Sequence, residues 1–309
     1  MTKKDYKVII VGAGPAGLTA AIYTARAGLS TLVIGNPYES QVAKLGVIEN
    51  YPGFRKGVQG MQLIEEMANQ TQANGGKIVY ANVISIEKKG ETFLVKSDED
   101  EEFQAKVIIM AMGSRYRKMR IEGEEEYYAK GVSYCTVCDG ALFKDKPTAI
   151  IGYGDGAAIG ALYLANFSTK VYVITPKKEL GAEAIYMHRL KTKDNIEIFY
   201  KAKVKKIAGD EFVNSIIFKD SEGKEHKIAV DGVFIEYGTV PNTLLAKQLG
   251  VEIDEKHFII IDNVTLATNI PGVYAAGDVT GRIRQIATAV GDGCTAATYA
   301  QEYLEKLED

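Results

Sequence analysis

Two cysteines separated by two residues, Cys135 and Cys138, are the part of the sequence best suited to redox chemistry. A Cys-X-X-Cys pair can close a small disulfide ring without long-range folding, and such pairs often have a lowered thiol pKa, which favours thiol–disulfide exchange. Asp139 follows directly, where its carboxyl group can deliver or accept the proton that the exchange moves. The spacing therefore predicts a catalytic centre made of Cys135, Cys138 and Asp139.

Half of a zinc site and a pair of inert core cysteines are the other interpretations of this pair. A structural zinc ion takes four ligands. The chain has one further cysteine, Cys294, and three histidines, His188, His226 and His257, and these show no zinc-ligand spacing. We therefore predict no metal site.

Length and composition indicate a two-domain enzyme without nucleic-acid or membrane partners. A chain of 309 residues exceeds a usual single core, and 46% hydrophobic residues, 25% charged residues and a formal charge of -3 are ordinary for a globular protein. The apolar run 8–11 is too short for a secretory signal, and no segment reaches membrane-spanning length. Three cysteines do not form a disulfide scaffold, which predicts a reducing cytoplasmic location and a catalytic disulfide.

A glycine motif near the N-terminus predicts a dinucleotide site. The apolar strand 7–11 runs into GAGPAG at 12–17, which opens an alanine-rich helix at 16–27. Such glycines allow the tight turn, the close backbone approach to a pyrophosphate and the helix–strand contact, and the helix N-terminus supplies amide donors. A tight turn without a ligand is the alternative. The next strand, 31–34, ends in Gly-Asn, where a ribose-binding acid is often found.

The same architecture begins again after the redox pair. Strand 148–151 leads into a second glycine turn at 152–158, a helix follows through Phe167, and strand 170–175 comes next. After a second linker at 238–242, the tail is predicted to return to the first domain. It carries strands at 258–261 and 272–274, Asp278 at a strand end, and a helix from Arg284 to about Leu307.

These repeats predict an α/β fold with two Rossmann-like, three-layer ββα nucleotide-binding domains, the second inserted in the first. The predicted flavin domain is discontinuous and comprises 1–114 and 242–309. The central domain, 115–241, carries the redox pair.

Together these motifs resemble the low-molecular-weight thioredoxin reductases of the pyridine nucleotide-disulfide oxidoreductase class. The likeness covers essentially the whole chain. Its segments are 12–17 (GAGPAG), 49–53 (ENYPG), 131–140 (GVSYCTVCDG), 276–278 (AGD) and 284–286 (RQI).

The resemblance implies an FAD cofactor, thioredoxin as the protein substrate and a homodimer. It also implies that Cys138 faces the flavin, that Cys135 attacks the protein substrate and that Asp139 is the acid/base. The implied FAD-binding residues are Gly12, Gly14, Pro15, Ala16, Gly17, Gly35, Asn36, Gln41, Asn50, Val83, Ala111, Gly113, Asp278, Arg284, Gln285 and Ile286.

The central domain departs from the NADPH-dependent members of this family. Those members carry Gly-X-Gly-X-X-Ala followed by helix acids, and a His-Arg-Arg-X-X-X-Arg segment that binds the 2'-phosphate. This chain has bulky Tyr153 in the turn, Ile159-Gly160 in the helix, and TPKKELG at 175–181, which lacks the guanidinium fork. The pattern resembles the ferredoxin-dependent flavin thioredoxin reductases, so ferredoxin is the predicted electron donor.

A basic run precedes the redox pair. Four cations, Arg115, Arg117, Lys118 and Arg120, lie within six residues. This segment is interpreted either as a polar linker between domains or as a docking surface for an acidic protein such as ferredoxin.

Three other functions are compatible with the sequence. One is an NADPH- or NADH-dependent thioredoxin reductase in which Lys177 and Lys178 replace the arginine clamp. Another is an FAD enzyme with a different disulfide or a small molecule as acceptor, which turnover by a Cys135→Ser variant would favour. The last is a non-catalytic flavoprotein that serves as a redox sensor, which absence of thiol titration by the reduced flavin would favour.

Overall fold

The apolar segment before the first glycine motif forms an inner strand of a sheet in the computed structural model, which describes residues 4–308. The chain divides into two units: Met1–Arg115 with Val240–Asp309, and Tyr116–Thr239. Residues 1–3 and 309, which are the outer ends of the predicted flavin domain, lie outside the described part.

In the first part of the chain, the predicted strand 7–11, helix 16–27 and strand 31–34 correspond to the first three elements. The elements of this part are β1 (Lys4–Val11), α1 (Pro15–Arg26), β2 (Thr31–Ile34), β3 (Val47–Ile48), β4 (Val58–Gln59), α2 (Gly60–Ala73), β5 (Lys77–Val79), β6 (Val83–Lys89), β7 (Thr92–Ser97), β8 (Glu102–Met110) and β9 (Ser114–Tyr116). Helix α1 begins with Pro15, whose missing N–H and fixed φ suit a first helical position. It is followed by Gly28 at φ 78°, a backbone conformation that glycine adopts readily.

The central part contains the redox pair and the second repeat. Its elements are β10 (Val132–Ser133), α3 (Thr136–Asp139), β11 (Pro147–Gly152), α4 (Gly154–Leu164), β12 (Lys170–Ile174), α5 (Ala184–Lys191), β13 (Ile196–Phe199), β14 (Lys203–Gly209), β15 (Val213–Lys219), β16 (Glu225–Ala229) and β17 (Gly232–Glu236).

The last part differs from its prediction in several places, among them the unpredicted helix α6 (Leu244–Leu249). Its elements are β18 (Thr239–Pro241), α6, β19 (Val273–Ala275) and α7 (Ile286–Glu308). The segment 258–261, predicted as a strand, makes only an isolated bridge, between Ile259 and Ile253. The carboxylate of Asp254 accepts the N–H groups of Lys256 and Phe258, which closes a tight turn there instead. Helix α7 begins two residues later than predicted.

The first unit is organised around parallel strands in the order β5-β2-β1-β8, and β19 pairs in parallel with the end of β8. Strands β7 and β6 extend the sheet in antiparallel fashion from the start of β8. Ile9 and Ile10, on opposite faces of β1, are both 0% exposed because both faces are covered. One face packs against α1, α2 and α7.

The second unit has three layers. Its sheet is parallel in the order β10-β17-β11-β12-β13. One apolar cluster joins this sheet to α4 and α5, and another joins it to the antiparallel sheet β14-β15-β16. The predicted α/β class with Rossmann-like parallel sheets is confirmed.

The two segments predicted as linkers each contain a short strand. Strand β9 pairs with β18, so the outgoing and returning chain segments form a two-stranded ribbon. Backbone bonds from Asn242 N–H to Gly113 O at 3.0 Å and from Arg117 N–H to Gly238 O at 3.0 Å extend it. Sequence reasoning missed this pairing because polar, glycine-containing segments give no strand signal by themselves.

Two glycines of the first motif make a matched test of packing against ligand approach. A Cβ at Gly17 would lie 1.9 Å from the carbonyl oxygen of Gly12, whereas no heavy atom of residues 4–308 lies within 4 Å of a Cβ at Gly14. Gly17→Ala should therefore destabilise the protein by about 1–3 kcal/mol or more, by overpacking against rigid backbone. Gly14→Ala should change stability little.

The measurement is the unfolding midpoint of the cofactor-free variants by circular dichroism in urea. Equal midpoints for Gly17→Ala and Gly14→Ala would contradict the packing argument.

Candidate functional site

Cys135 and Cys138 form a disulfide at the start of α3, with their Cα atoms 5.3 Å apart. The backbone N–H of Cys138 donates to Sγ of Cys135 at 3.2 Å. In the reduced pair this donor stabilises negative charge on the Cys135 sulfur, and the thiolate is the species that attacks a disulfide. Val137, between the two cysteines, is 45% exposed, so the loop reaches the surface.

Asp139 ends α3 and is partly buried. Burial raises the pKa of its carboxyl group above the ordinary value, and a hydrogen bond from Ser133 opposes that rise. The bond joins Ser133 Oγ to Asp139 Oδ2 at 2.6 Å. A carboxyl group with a raised pKa keeps its proton to higher pH, so Asp139 can act as a proton donor beside the two sulfurs.

Glu124 holds the start of the loop at 134–139, called the redox loop here, through hydrogen bonds. The sequence does not indicate this role of Glu124. Its carboxylate, 1% exposed, accepts the hydroxyl of Tyr134 at 2.8 Å and the N–H groups of Met119 at 2.9 Å and Ile121 at 3.2 Å. Burial, then this hydrogen bond, raises the pKa of Tyr134. Glu124 lies in the acidic run 122–126, which looks like a solvated surface in the sequence. Only the partners of its carboxylate distinguish it.

The Tyr134 ring lies in an aromatic group. It stacks on Tyr116 with centroids 4.9 Å apart and contacts Tyr128 at 5.8 Å. Because Tyr134 immediately precedes Cys135, its ring and hydroxyl contacts hold the backbone of the first cysteine.

The first glycine motif forms a compact turn at the carboxyl end of β1. Gly12 has φ 107°, and a Cβ there would lie 2.3 Å from Ala111 O. A Cβ at Gly35 would lie 2.8 Å from the backbone N of Ala13. Three predicted residues from different strands, Gly12, Gly35 and Ala111, are therefore gathered at one edge. Pro15 and Ala16 begin α1 there, and the space at Gly14 fits the close approach of a pyrophosphate to the helix N-terminus.

Asp278 lies in a network that joins three distant segments of this unit. Its Oδ2 accepts Ser114 Oγ at 3.2 Å, and Gln41 Nε2 donates to the Ser114 carbonyl at 2.6 Å. Burial raises the pKa of Asp278, and the hydrogen bonds of Ser114 and Gln41 and the charge of Arg284 oppose the rise. The structure thus brings together the predicted Gln41 and Asp278. Ser114, which was not predicted as a ligand residue, links them.

Asn50 and Gln285 also meet, 235 positions apart, with Asn50 Nδ2 donating to Gln285 Oε1 at 3.1 Å. Gln285 directly precedes α7, and Ile286 is its first residue. Amide side chains at this end of α7 suit the polar edge of a flavin ring, and the helix N-terminus favours negative charge on the reduced ring.

The remaining predicted flavin residues have simpler surroundings. Asn36 is used locally, because its Oδ1 accepts Tyr38 N–H at 3.1 Å and its Nδ2 donates to Glu39 at 3.1 Å. Gly113 has φ 63° just after β8, and Val83 is the first residue of β6.

A second buried acid, Asp292, also escaped sequence reasoning. It is 4% exposed within α7, and its carboxylate accepts Gly277 N–H at 3.1 Å and Arg282 Nη1 at 3.0 Å. Burial raises the pKa of Asp292. Because Gly277 precedes Asp278, this acid fixes the turn that presents the predicted flavin-binding carboxylate. The feature of the sequence that could have identified Asp292 is Gly-Asp-Gly at 291–293, which places one carboxylate among the small residues of the helix.

The corresponding edge of the second unit is covered by aromatic rings. Tyr153 follows β11 and Tyr237 follows β17, and their rings meet edge to face at 5.3 Å. Lys177, which comes shortly after β12, lies over the Tyr153 ring with Nζ 5.2 Å from its centroid. These are the carboxyl ends of adjacent parallel strands, where open α/β sheets bind dinucleotides.

A carboxylate also lies at the beginning of α4. Glu236 Oε1 accepts Thr136 Oγ1 at 3.2 Å, and its Oε2 lies 3.4 Å from the position of a Cβ at Gly156, in the first turn of that helix. The positive N-terminal end of a helix stabilises a nearby carboxylate, and the same end binds the pyrophosphate of a nucleotide cofactor. Glu236 therefore competes electrostatically with a phosphate group for this place.

Residues 4–308 contain neither a metal-binding cluster nor a membrane-spanning helix. No cluster of His, Cys, Asp and Glu side chains in this range is arranged to hold a metal ion. No helix in it is long and apolar enough to cross a membrane.

Comparison with known proteins gives matches along almost the entire chain. The family described as pyridine nucleotide-disulphide oxidoreductase matches residues 6–293. Thioredoxin reductase of Listeria monocytogenes is 38% identical over 99% of this chain and 96% of its own length. Thioredoxin reductase of Bacillus subtilis is 37% identical over 99% and 97%. The crystal structure of thioredoxin reductase from Streptococcus pyogenes superposes with a TM-score of 0.92 at 36% identity, over 99% of this chain and 100% of that one.

The position of Asp139 leads to a prediction about exchange rates. Asp139→Asn should slow the reaction of the reduced pair with a small disulfide reagent by about 10²–10⁴-fold at pH 7, because proton transfer is lost. Asp145→Asn is the matched control. Its carboxylate is exposed, and asparagine tolerates its φ of 59°. The measurement is the stopped-flow rate of each variant with the reagent. Equal rates for the two variants would show that Asp139 transfers no proton during exchange.

Proposed function

Because the chain belongs to the pyridine nucleotide-disulphide oxidoreductase family, we propose that it is a flavin-dependent thioredoxin reductase. Electrons pass through FAD to the Cys135–Cys138 disulfide, and the resulting dithiol reduces thioredoxin. The supporting observation is a surface disulfide with a carboxyl group of raised pKa beside it. The curated relatives, which are thioredoxin reductases, supply the substrate class.

Bound FAD would supply a reductant that accepts electrons singly or in pairs and delivers two to a disulfide. Within the proposed flavin domain, 1–114 and 242–309, the turn at 12–17 would hold the pyrophosphate on the N-terminus of α1. Asp278, fixed by Ser114 and by the Asp292 turn, would bind a hydroxyl group of the ribityl chain. The backbone of 284–286 would border the ring.

Exchange with thioredoxin proceeds in two balanced steps. The Cys135 thiolate attacks the thioredoxin disulfide, a mixed disulfide forms, and the departing thioredoxin sulfur takes the proton of Asp139. The Asp139 carboxylate left by that transfer takes the proton of the Cys138 thiol, and the Cys138 sulfur attacks Cys135 Sγ. This restores the Cys135–Cys138 disulfide, and the second thioredoxin sulfur leaves as a thiolate and takes that proton, which releases reduced thioredoxin. Cys135 is the attacking residue in this proposal because it receives the stabilising N–H of Cys138.

Ferredoxin is the proposed electron donor. The observation that carries this choice is the edge of the central unit, where the glycine turn carries the Tyr153 ring in contact with Tyr237 and has the Glu236 carboxylate close to Gly156. Plant-type ferredoxins lie near about -400 mV and thioredoxin near about -270 mV. Transfer of two electrons across that gap releases about 6 kcal/mol, so a nicotinamide is not required for a downhill reaction.

A pyridine nucleotide is the second candidate donor. The family description and two exposed lysines, Lys177 and Lys178, at the end of β12 favour it. Lysine can neutralise a phosphate as a point charge, although it lacks the bidentate fork of arginine. Movement of the Tyr153 ring would then have to open the edge.

A donor comparison separates the two candidates. We expect reduced ferredoxin to bleach the flavin absorbance and to drive thioredoxin reduction, while micromolar NADPH and NADH leave the flavin oxidised. Stopped-flow absorbance under argon measures both reactions. Rapid bleaching by NADPH would overturn the ferredoxin proposal and leave an NADPH-dependent thioredoxin reductase.

The basic run is the proposed docking surface for ferredoxin. Arg115, Arg117 and Arg120 are exposed, whereas Lys118 is paired with Glu125 at 2.5 Å. Exposed guanidinium groups attract an acidic partner over a distance set by the ionic strength.

Charge reversal tests this surface. Arg115→Glu with Arg117→Glu should lower the rate of flavin reduction by ferredoxin about 10-fold or more at low ionic strength, and the difference from wild type should shrink as salt is added. Lys224→Glu with Lys227→Glu, at two exposed positions of the same protein, is the control with the same change of net charge. If both variants slow equally, the arginines have no specific role.

We further propose a homodimer located in the cytoplasm. The dimer rests on the family resemblance, and the location rests on three cysteines of which two form a catalytic disulfide. Sedimentation of the holoprotein as a monomer at micromolar concentration would exclude the dimer.

A further inference from the structure

Ser133 bridges the first cysteine and the acid. Its side chain belongs to β10 and is 6% exposed. The Oγ atom accepts the backbone N–H of Cys135 at 3.0 Å and lies 2.6 Å from Asp139 Oδ2. One hydroxyl group therefore links the backbone of the proposed nucleophile to the carboxyl group of the proposed acid.

The hydroxyl proton of Ser133 has one favourable direction. Its Oγ already accepts Cys135 N–H, so its single proton goes to an acceptor. The carbonyl oxygen of Cys135 lies 3.4 Å away, whereas Asp139 Oδ2 lies at 2.6 Å. The shorter contact identifies Asp139 Oδ2 as the acceptor, and we assign the transferable proton of the acid to the other carboxyl oxygen, Oδ1, which leaves the Ser133 bond unchanged.

Few titratable groups of residues 4–308 lie close to the Asp139 carboxyl group. Burial, and after it the negative charge of nearby Asp139, raises the pKa of the Tyr128 phenol. On α4, Tyr163 packs against Gly140, and its ring lies 3.1 Å from the position of a Cβ there. Glu236 bonds to Thr136 at the other end of α3, and Glu124 bonds to Tyr134. Ser133 is the hydrogen-bond donor that favours the charged form of Asp139.

We propose that Ser133 is a positioning residue for thiol–disulfide exchange, which orients Asp139 so that Oδ1 carries the transferable proton and which stabilises the carboxylate left after transfer. The inference rests on the proposed exchange with thioredoxin. The balanced step is attack of the Cys135 thiolate on the thioredoxin disulfide, cleavage of that disulfide, and movement of the Oδ1 proton to the departing sulfur. The carboxylate that remains keeps the Ser133 hydrogen bond.

The sign of the effect follows from the hydrogen bond. Ser133 stabilises the charged carboxylate, so its removal raises the pKa of Asp139. Exchange that needs the protonated acid declines as pH rises through that pKa. In Ser133→Ala the decline should therefore occur about one to two pH units higher than in wild type, the size expected for one hydrogen bond to a charged group.

The experiment uses holoprotein reduced stoichiometrically with dithionite and mixed with oxidised thioredoxin across pH 5–10. Ser133→Thr keeps the hydroxyl group and should return the profile toward that of wild type. Ser133→Ala combined with Asp139→Asn should lose the pH-dependent decline. If Ser133→Ala only lowers the rate and leaves the midpoint unchanged, the positioning role is wrong. Should Ser133→Ala not fold, Ser133→Gly must show the same shift.

Infrared titration of the Asp139 carboxyl group in the oxidised holoprotein tests the role of Ser133 separately from the proposed thioredoxin reductase function. The band is identified by its loss in Asp139→Asn, and its midpoint should rise in Ser133→Ala whether or not thioredoxin is the substrate. An unchanged midpoint overturns the role of Ser133. Failure of the wild-type dithiol to reduce thioredoxin, with the infrared shift present, overturns the proposed function instead.

Discussion

Both units depend on one constraint of parallel sheets, which is that every strand delivers its carboxyl end to the same edge. At that edge the chain leaves the sheet and its backbone groups need new partners. In the first unit β1, β2, β8 and β19 bring four distant segments together in this way. In the second, β17, β11 and β12 do the same. In each unit, the sheet edge that could bind a nucleotide is formed because the strands end there together, independently of which residues lie at that edge.

The residues at the two edges differ in size, and size determines how each can be used. The first edge carries glycines where a Cβ would collide with backbone, as at Gly12 and Gly17, and open space at Gly14. The second has a comparable glycine turn, in which a Cβ at Gly152 would collide with Glu236 O and the space at Gly154 is open, but it also carries the Tyr153 and Tyr237 rings in contact with each other. A pyrophosphate needs backbone N–H groups within hydrogen-bonding distance, so large side chains at the same topological position oppose its binding.

Buried carboxyl groups hold the loop of the cysteine pair in one unit and the turn before Asp278 in the other. Asp139, Glu124 and Asp292 each lose hydration on burial, and each recovers hydrogen bonds from groups far away in the sequence or on a neighbouring element. For Asp139 and Asp292 burial still raises the pKa. A network in which every acceptor is satisfied allows little movement, so the redox loop and the turn before Asp278 are held without a ligand.

Local patterns in the sequence determined the two glycine turns, the Cys-X-X-Cys-Asp loop and most elements, including β2 at its predicted bounds Thr31–Ile34. These depend on neighbouring residues, whose types and spacing are directly visible. Only the tertiary structure decided which polar residues meet, such as Asn50 with Gln285, and it left the predicted strand at 258–261 as an isolated bridge that follows a turn at 255–257. In the sequence Glu124 looks like an acidic surface residue. Its burial and its hydrogen-bond partners are properties of the folded chain, and they depend on segments whose proximity cannot be read from the sequence.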